Sequence, residues 1–220
     1  MFPIFRDRVP AGGLLAEALA GRSFENAVEL ALPRGGVPVA MAVAEALHAP
    51  LDLILVRKLG APTQPELAVG AVVDGAQPEI VLNDAIVAEL GVSQAEINRI
   101  AARELGVIAM RRQRWLSGRP PTSLAGCTAL IVDDGIATGA TVRAAVHAVR
   151  RQGAVKVIVA TPVAPAEVVA GLAEIADDVV VLETPRPFHA IGRFYDDFSQ
   201  LSDDDVTRML ADARHPPPVA

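Results

Sequence analysis

The chain has 220 residues, 51% of them hydrophobic and only 4% aromatic, with a formal charge of −6 at neutral pH. This length buries one substantial core of small aliphatic side chains, and the acidic balance offers no global field to attract a polyanion, which disfavours DNA or RNA as a partner. With Cys127 as its single cysteine the chain forms no intrachain disulfide and no cysteine-based metal cluster, and its place beside an apolar run predicts a buried, inert thiol. The N-terminal stretch carries Arg6, Asp7 and Arg8 where a signal peptide would be apolar, and the most apolar later region is broken by Pro162, Pro165 and Glu167. A cytoplasmic protein without a membrane partner is expected.

In chain order, a β-type run at 28–32 ends in Pro33-Arg34-Gly35-Gly36 and leads into an Ala-rich helix at 37–48. A second β-type run at 51–56 is closed by Arg57-Lys58, after which Gly60, Pro62 and Pro65 predict a mobile loop over 59–66. Strands at 67–73 and 79–82 flank Asp74-Gly75, a dipeptide suited to an antiparallel hairpin. Ser93 with Glu96 forms a capping box, and Ile97, Ile100, Ala101, Leu105, Ile108 and Trp115 or Leu116 recur at helical spacing, which predicts the longest helix, over 93–117.

A buried strand at 128–132 follows, then a loop at 135–141 and a helix at 142–152, and the pattern repeats as a strand at 155–161, a helix at 165–175 and a strand at 178–182. Strands alternating with helices predict an α/β class with a mostly parallel sheet flanked by helices. Residues 185–200 read as irregular yet hold Phe188, Phe194, Tyr195 and Phe198; a terminal helix at 202–213 and a disordered tail at 215–220 complete the chain. Asp203, Asp204 and Asp205 fall in the first turn of that helix, where its dipole favours negative charge.

The stretch richest in chemistry is the apolar strand that ends in Asp133-Asp134 and continues as Gly135-Ile136-Ala137-Thr138-Gly139-Ala140-Thr141 into a helix. In open parallel sheets ligands sit beyond the carboxyl ends of the strands, so a glycine-containing turn there brings backbone amides and the hydroxyls of Thr138 and Thr141 to an anion. Two acids beside a phosphate cradle make poor phosphate ligands but good acceptors for the hydroxyls of a sugar carrying that phosphate. An isolated Asp-Asp more often only starts a turn; the full spacing favours function.

That segment resembles the signature of the type I phosphoribosyltransferases: four apolar residues, two acids, three residues, then Thr-Gly-x-Thr. The resemblance implies a single domain over 1–214, with a core at about 27–183, a hood from 1–26 and 184–200, and an inserted helix at 93–117. It assigns the ribose hydroxyls of 5-phosphoribosyl-1-pyrophosphate to Asp133 and Asp134, and the 5′-phosphate to Ala137, Thr138, Gly139, Ala140 and Thr141. Leu32-Pro33-Arg34-Gly35-Gly36 is similar to the family's pyrophosphate loop, and Arg57-Lys58 to its basic pair, which makes Asp133, Asp134, Lys58 and Arg34 the catalytic candidates. In the region similar to the base-binding hood of hypoxanthine-type members, His189, Ala190 and Ile191 line the base site; Asp196, with Asp133 and Asp134, is expected near a Mg²⁺ ion.

The implied activity is Mg²⁺-dependent transfer of 5-phosphoribosyl from the pyrophosphate donor to a nitrogen of a nucleobase or related heterocycle, a reaction of nucleotide salvage, by a homodimer. A non-catalytic ligand-sensing regulator on the same fold is the alternative, and a generic dinucleotide or Walker-type binder lacks its glycine pattern here. Ala137 stands where hypoxanthine and guanine enzymes carry an acid, so the loop and the hood point to different bases. No general base is legible.

Overall fold

A computed structural model describes residues 3–22, 24–75 and 77–212. In chain order these form α1 (Arg8–Leu19), β1 (Ala27–Ala31), α2 (Gly36–Leu47), β2 (Leu51–Leu53), β3 (Val56–Gly60), β4 (Ala68–Val73), β5 (Glu79–Leu82), α3 (Asp84–Leu90), α4 (Gln94–Leu116), β6 (Thr128–Val132), α5 (Ala140–Arg151), β7 (Lys156–Val163), α6 (Ala166–Ala173), β8 (Asp178–Glu183) and α7 (Asp203–Asp212). The tail expected at 215–220 lies outside the described residues.

Five strands form one sheet in the order β2-β1-β6-β7-β8, and all four pairings are parallel. Parallel strands buried on both faces need continuous apolar sequence, and β6 provides it: Ala129 and Ile131 face the core under α5 and α6, while Leu130 and Val132 face the core under α1 and α2. Gly12 lets α1 lie close on α2, because a methyl there would stand 2.8 Å from the Val39 carbonyl oxygen. The expected α/β fold with a helix-flanked parallel sheet is the one observed. Among the described residues no helix is long and apolar enough to cross a membrane.

The run at 51–56, expected as one strand, divides between two sheets. β2 ends at Leu53, and β3 then pairs antiparallel with β4, which pairs with β5. The cause is Asp74: its carboxylate accepts from the Leu55 amide at 2.6 Å and its own amide donates to the Leu55 carbonyl at 3.0 Å, pinning the chain where it leaves the first sheet. The 59–66 segment is likewise shorter as a loop than expected, since Leu59 and Gly60 belong to β3. Cys127 is half-buried rather than buried.

Two helices escaped the sequence pattern. α1 contains Pro10, Gly12 and Gly13 yet starts cleanly because Asp7 accepts from the Val9 amide at 2.9 Å. α3 is only seven residues long, set by the Asn83 cap and by left-handed Gly91 at its end. α4 carries the predicted capping box, with Ser93 and Glu96 bonded reciprocally.

Beneath the hairpin lies a buried ion cluster. Arg112 of α4 donates to Asp74 at 2.7 Å and to Asp52 at 3.1 Å, with all three side chains almost out of water. The two acids shift in opposite directions although they share one guanidinium. Burial raises Asp74, and one backbone amide and Arg112 fail to offset it, leaving it at about 6. Burial also acts on Asp52, but Arg112 and the amides of Leu53 and Thr122 outweigh it and hold Asp52 below the usual carboxylate range. Glu29 on β1 is a separate case: among the described residues neither of its oxygens has a partner, and burial pushes its carboxyl well above the usual range.

Because the folded state holds the Asp74 proton more tightly than the unfolded chain, Asp74 contributes stability that is lost as pH rises through about 6. Replacing Arg112 with Met strands both carboxylates. Chemical denaturation is expected to show a loss of about 3–5 kcal/mol. That loss should be larger above pH 6 than below it, where Asp74 is neutral. Equal losses on both sides of that pH would contradict the cluster's charge assignment.

Candidate active site

The signature loop leaves β6 at the carboxyl edge of the sheet and enters α5 through Gly139, whose φ of 76° is in the left-handed region that glycine adopts without strain. No side chain caps α5, and among the described residues no protein acceptor takes the backbone amides of residues 137–142. Free amides at a helix N-terminus, with Ala137, Thr138, Ala140 and Thr141 exposed around them, form an anion cradle.

Next to the cradle the two acids are fixed differently. Asp134 is 7% exposed, and its carboxylate receives Arg8 Nε at 2.7 Å. The Arg8 guanidinium also lies 3.9 Å from the Phe198 ring centroid and donates to the Ser199 carbonyl at 3.0 Å. Tyr195 closes the other side, its hydroxyl donating to the Asp134 carbonyl at 2.6 Å. Burial, then the charge of Asp134, pushes the Tyr195 phenol up and keeps it a donor. Asp133 accepts the Asp134 amide at 2.9 Å, and burial followed by the charge of Asp134 raises its carboxyl well above the usual range. Arg8 thus pairs with Asp134 alone, and among the described residues Asp133 has no ion-pair partner.

The Pro33-to-Gly36 turn meets this pair directly. A methyl on Gly35 would overlap the Asp134 carboxylate, and one on Gly36 would stand 2.7 Å from the Val132 carbonyl, so both glycines are required by close approach of the two loops. Arg34 extends from the same turn and meets Asp203 of α7 at 3.4 Å. Arg57 is held by Glu104 of α4 at 2.9 and 2.8 Å. Lys58 donates to the Glu66 carbonyl at 3.1 Å across the mouth of a cleft of about 390 Å³ that Arg57, Arg103 and Glu104 also line. That cleft touches the basic pair but not the signature acids.

The hood residues are less converged. His189 and Ala190 are exposed, while Ile191 packs where a Gly135 side chain would otherwise stand. Asp196 is exposed, its amide bonded to the Phe5 carbonyl. Among the described residues no three acidic or imidazole side chains gather to hold a metal, so Asp196 does not join Asp133 and Asp134 as the sequence led us to expect. Arg8 and Tyr195 were not foreseen in these roles. Their only signals were the Arg-Asp-Arg triplet near the start and the surplus of aromatics in an irregular segment.

The sequence profile of the phosphoribosyl transferase domain matches residues 10–197. The chain belongs to the phosphoribosyl transferase domain family. Candidate phosphoribosyl transferases from two Mycobacterium tuberculosis strains, CDC 1551 and H37Rv, are each 48% identical to it over 207 residues, 94% of this chain and 46% of theirs. The chain therefore spans about half the length of these curated relatives. The crystal structure of TT1426 from Thermus thermophilus has a TM-score of 0.82 at 45% identity, covering 96% of this chain and 98% of that one. Arg8, just ahead of the residues matched to this phosphoribosyl transferase domain, is the counter-ion that Arg8→Met removes from Asp134. We expect a stability loss of about 3–5 kcal/mol in denaturant titration. A variant as stable as the wild type would show that Asp134 is neutral or otherwise compensated.

Proposed function

We propose that the chain transfers 5-phosphoribosyl from phosphoribosyl pyrophosphate to a nitrogen of a nucleobase or related heterocycle, releasing pyrophosphate. The observation that carries this reading is the run of free amides at 137–142 beside the under-compensated pair Asp133-Asp134. A phosphate satisfies the amides and the vicinal hydroxyls of a ribose satisfy the acids, so one sugar phosphate matches both halves of the site. The contact of the Gly35 and Gly36 turn with Asp134 supports this turn, with Arg34, as the proposed meeting point for a pyrophosphate on C1 of that sugar, and Arg57 and Lys58 are proposed to reach it from the neighbouring cleft.

Displacement at C1 develops positive charge on the sugar and negative charge on the leaving group. Asp133 and Asp134 hold the ring in place and lie near the developing cation, while the basic groups stabilise the departing pyrophosphate. Asp133 fits a hard cation, being an oxygen ligand without an ion-pair partner of its own among the described residues; a bound Mg²⁺ would neutralise the pyrophosphate charge. His189, Ala190 and Ile191 are the residues proposed to meet the acceptor. A cytoplasmic homodimer active in nucleotide salvage is the setting proposed for this chemistry.

The test incubates the protein with Mg²⁺, phosphoribosyl pyrophosphate and a panel of bases, and follows pyrophosphate. Release with at least one base is expected, together with loss of donor binding in Asp133→Asn, a variant that keeps the Arg8–Asp134 pair and with it the fold. Tight donor binding without release for any base would instead make the chain a ligand sensor. Unchanged donor affinity in Asp133→Asn would remove the ribose assignment.

A further inference from the structure

We infer that α4 supplies a third arginine, Arg111, to the pyrophosphate end of this site, between Arg34 and Arg57. The inference rests on the phosphoribosyl transfer reading and deepens it by naming a leaving-group contact on the helix inserted between the hairpin and the signature strand.

Glu104, Ile108, Arg111 and Trp115 follow one another at steps of four, three and four residues, so they share one face of α4. That face is where both basic groups of the pyrophosphate end are moored. Glu104 binds Arg57 of β3, and one turn beyond Arg111 the neighbouring Arg114 binds Asp203, the acid that also takes Arg34. Arg111 lies along the helix between the two moorings, half-buried, with its guanidinium 5.4 Å from the centroid of the fully buried Trp115 ring.

The carboxylates nearby are committed elsewhere. Glu104 serves Arg57 and Arg103, Asp203 serves Arg34 and Arg114, and Asp204 serves Arg114. Among the described residues Arg111 has no ion-pair partner and donates no hydrogen bond to the protein. Its proton is held less tightly than usual, first through burial and then through Arg57, with Arg34 adding to the effect. The Trp115 ring offsets only part of the cost of holding a half-buried cation among other cations. A multiply charged phosphate resolves the imbalance, since a guanidinium fork matches two phosphate oxygens.

Isothermal titration of the whole chain with magnesium pyrophosphate and, separately, with ribose 5-phosphate tests this. Arg111→Met keeps the stem on Trp115 and should weaken pyrophosphate about tenfold, roughly 1.4 kcal/mol, with ribose 5-phosphate affinity unchanged. Wild-type pyrophosphate affinity in Arg111→Met, alongside normal ribose 5-phosphate binding, overturns the role of Arg111 and leaves the transfer reading standing. Failure of the unmodified protein to bind either ligand overturns the transfer reading and this inference with it. Should Arg111→Met unfold, Arg111→Lys decides: several-fold weaker pyrophosphate at unchanged ribose 5-phosphate affinity supports the contact, and unaltered pyrophosphate affinity overturns it.

Discussion

Two adjacent carboxylates at the end of a buried strand repel each other, and away from water nothing screens that repulsion. Arg8 makes the arrangement possible by placing one desolvated positive charge 2.7 Å from Asp134. That contact joins parts of the chain far apart in sequence: α1 carries Arg8, the hood supplies Phe198 beneath its guanidinium and Tyr195 beside Asp134, and the Gly35 turn presses on the same carboxylate. The hood, the first helix and the two ligand loops are therefore one assembly around a single ion pair. Because the pair compensates only one of the two acids, Asp133 is left to bind something else.

The core and the signature were legible in the sequence because both are local. Continuous apolar runs such as 128–132, alternating with helices, can only be a parallel sheet covered on both faces, and the Asp-Asp and Thr-Gly-x-Thr spacing is contained in one segment. What was hidden depends on long-range partners. The division of 51–56 between two sheets is decided by Asp74, some twenty residues away, and the role of Arg8 by Asp134, separated by 126 positions. α1 was missed because glycines and a proline weaken its pattern, and its stability comes from packing on α2. The place of Asp196 was hidden for a related reason: it follows the hood glycine in sequence, but its backbone amide bonds the Phe5 carbonyl and its side chain is exposed, apart from Asp133 and Asp134.

α4 links stability with charge. It buries Ile97, Ile100, Ala101 and Ile108 and sends Arg112 into the buried acid cluster, while Glu104 holds Arg57 and Arg114 holds Asp203, the acid that also takes Arg34. A rigid helix with its capping box intact thus sets both the hairpin and the cation field, which is a physical reason for a long insertion at this point in the domain. The acidic total charge of the chain conceals this local concentration of guanidinium groups.

The central claim is that the amides at 137–142 are free because they await a phosphate. Amide hydrogen exchange followed with and without saturating ribose 5-phosphate tests it most directly. Fast exchange across this segment in the free protein and strong protection on adding the sugar phosphate are predicted. Exchange that is already slow, or that the ligand leaves unchanged while protecting another region, would contradict the account.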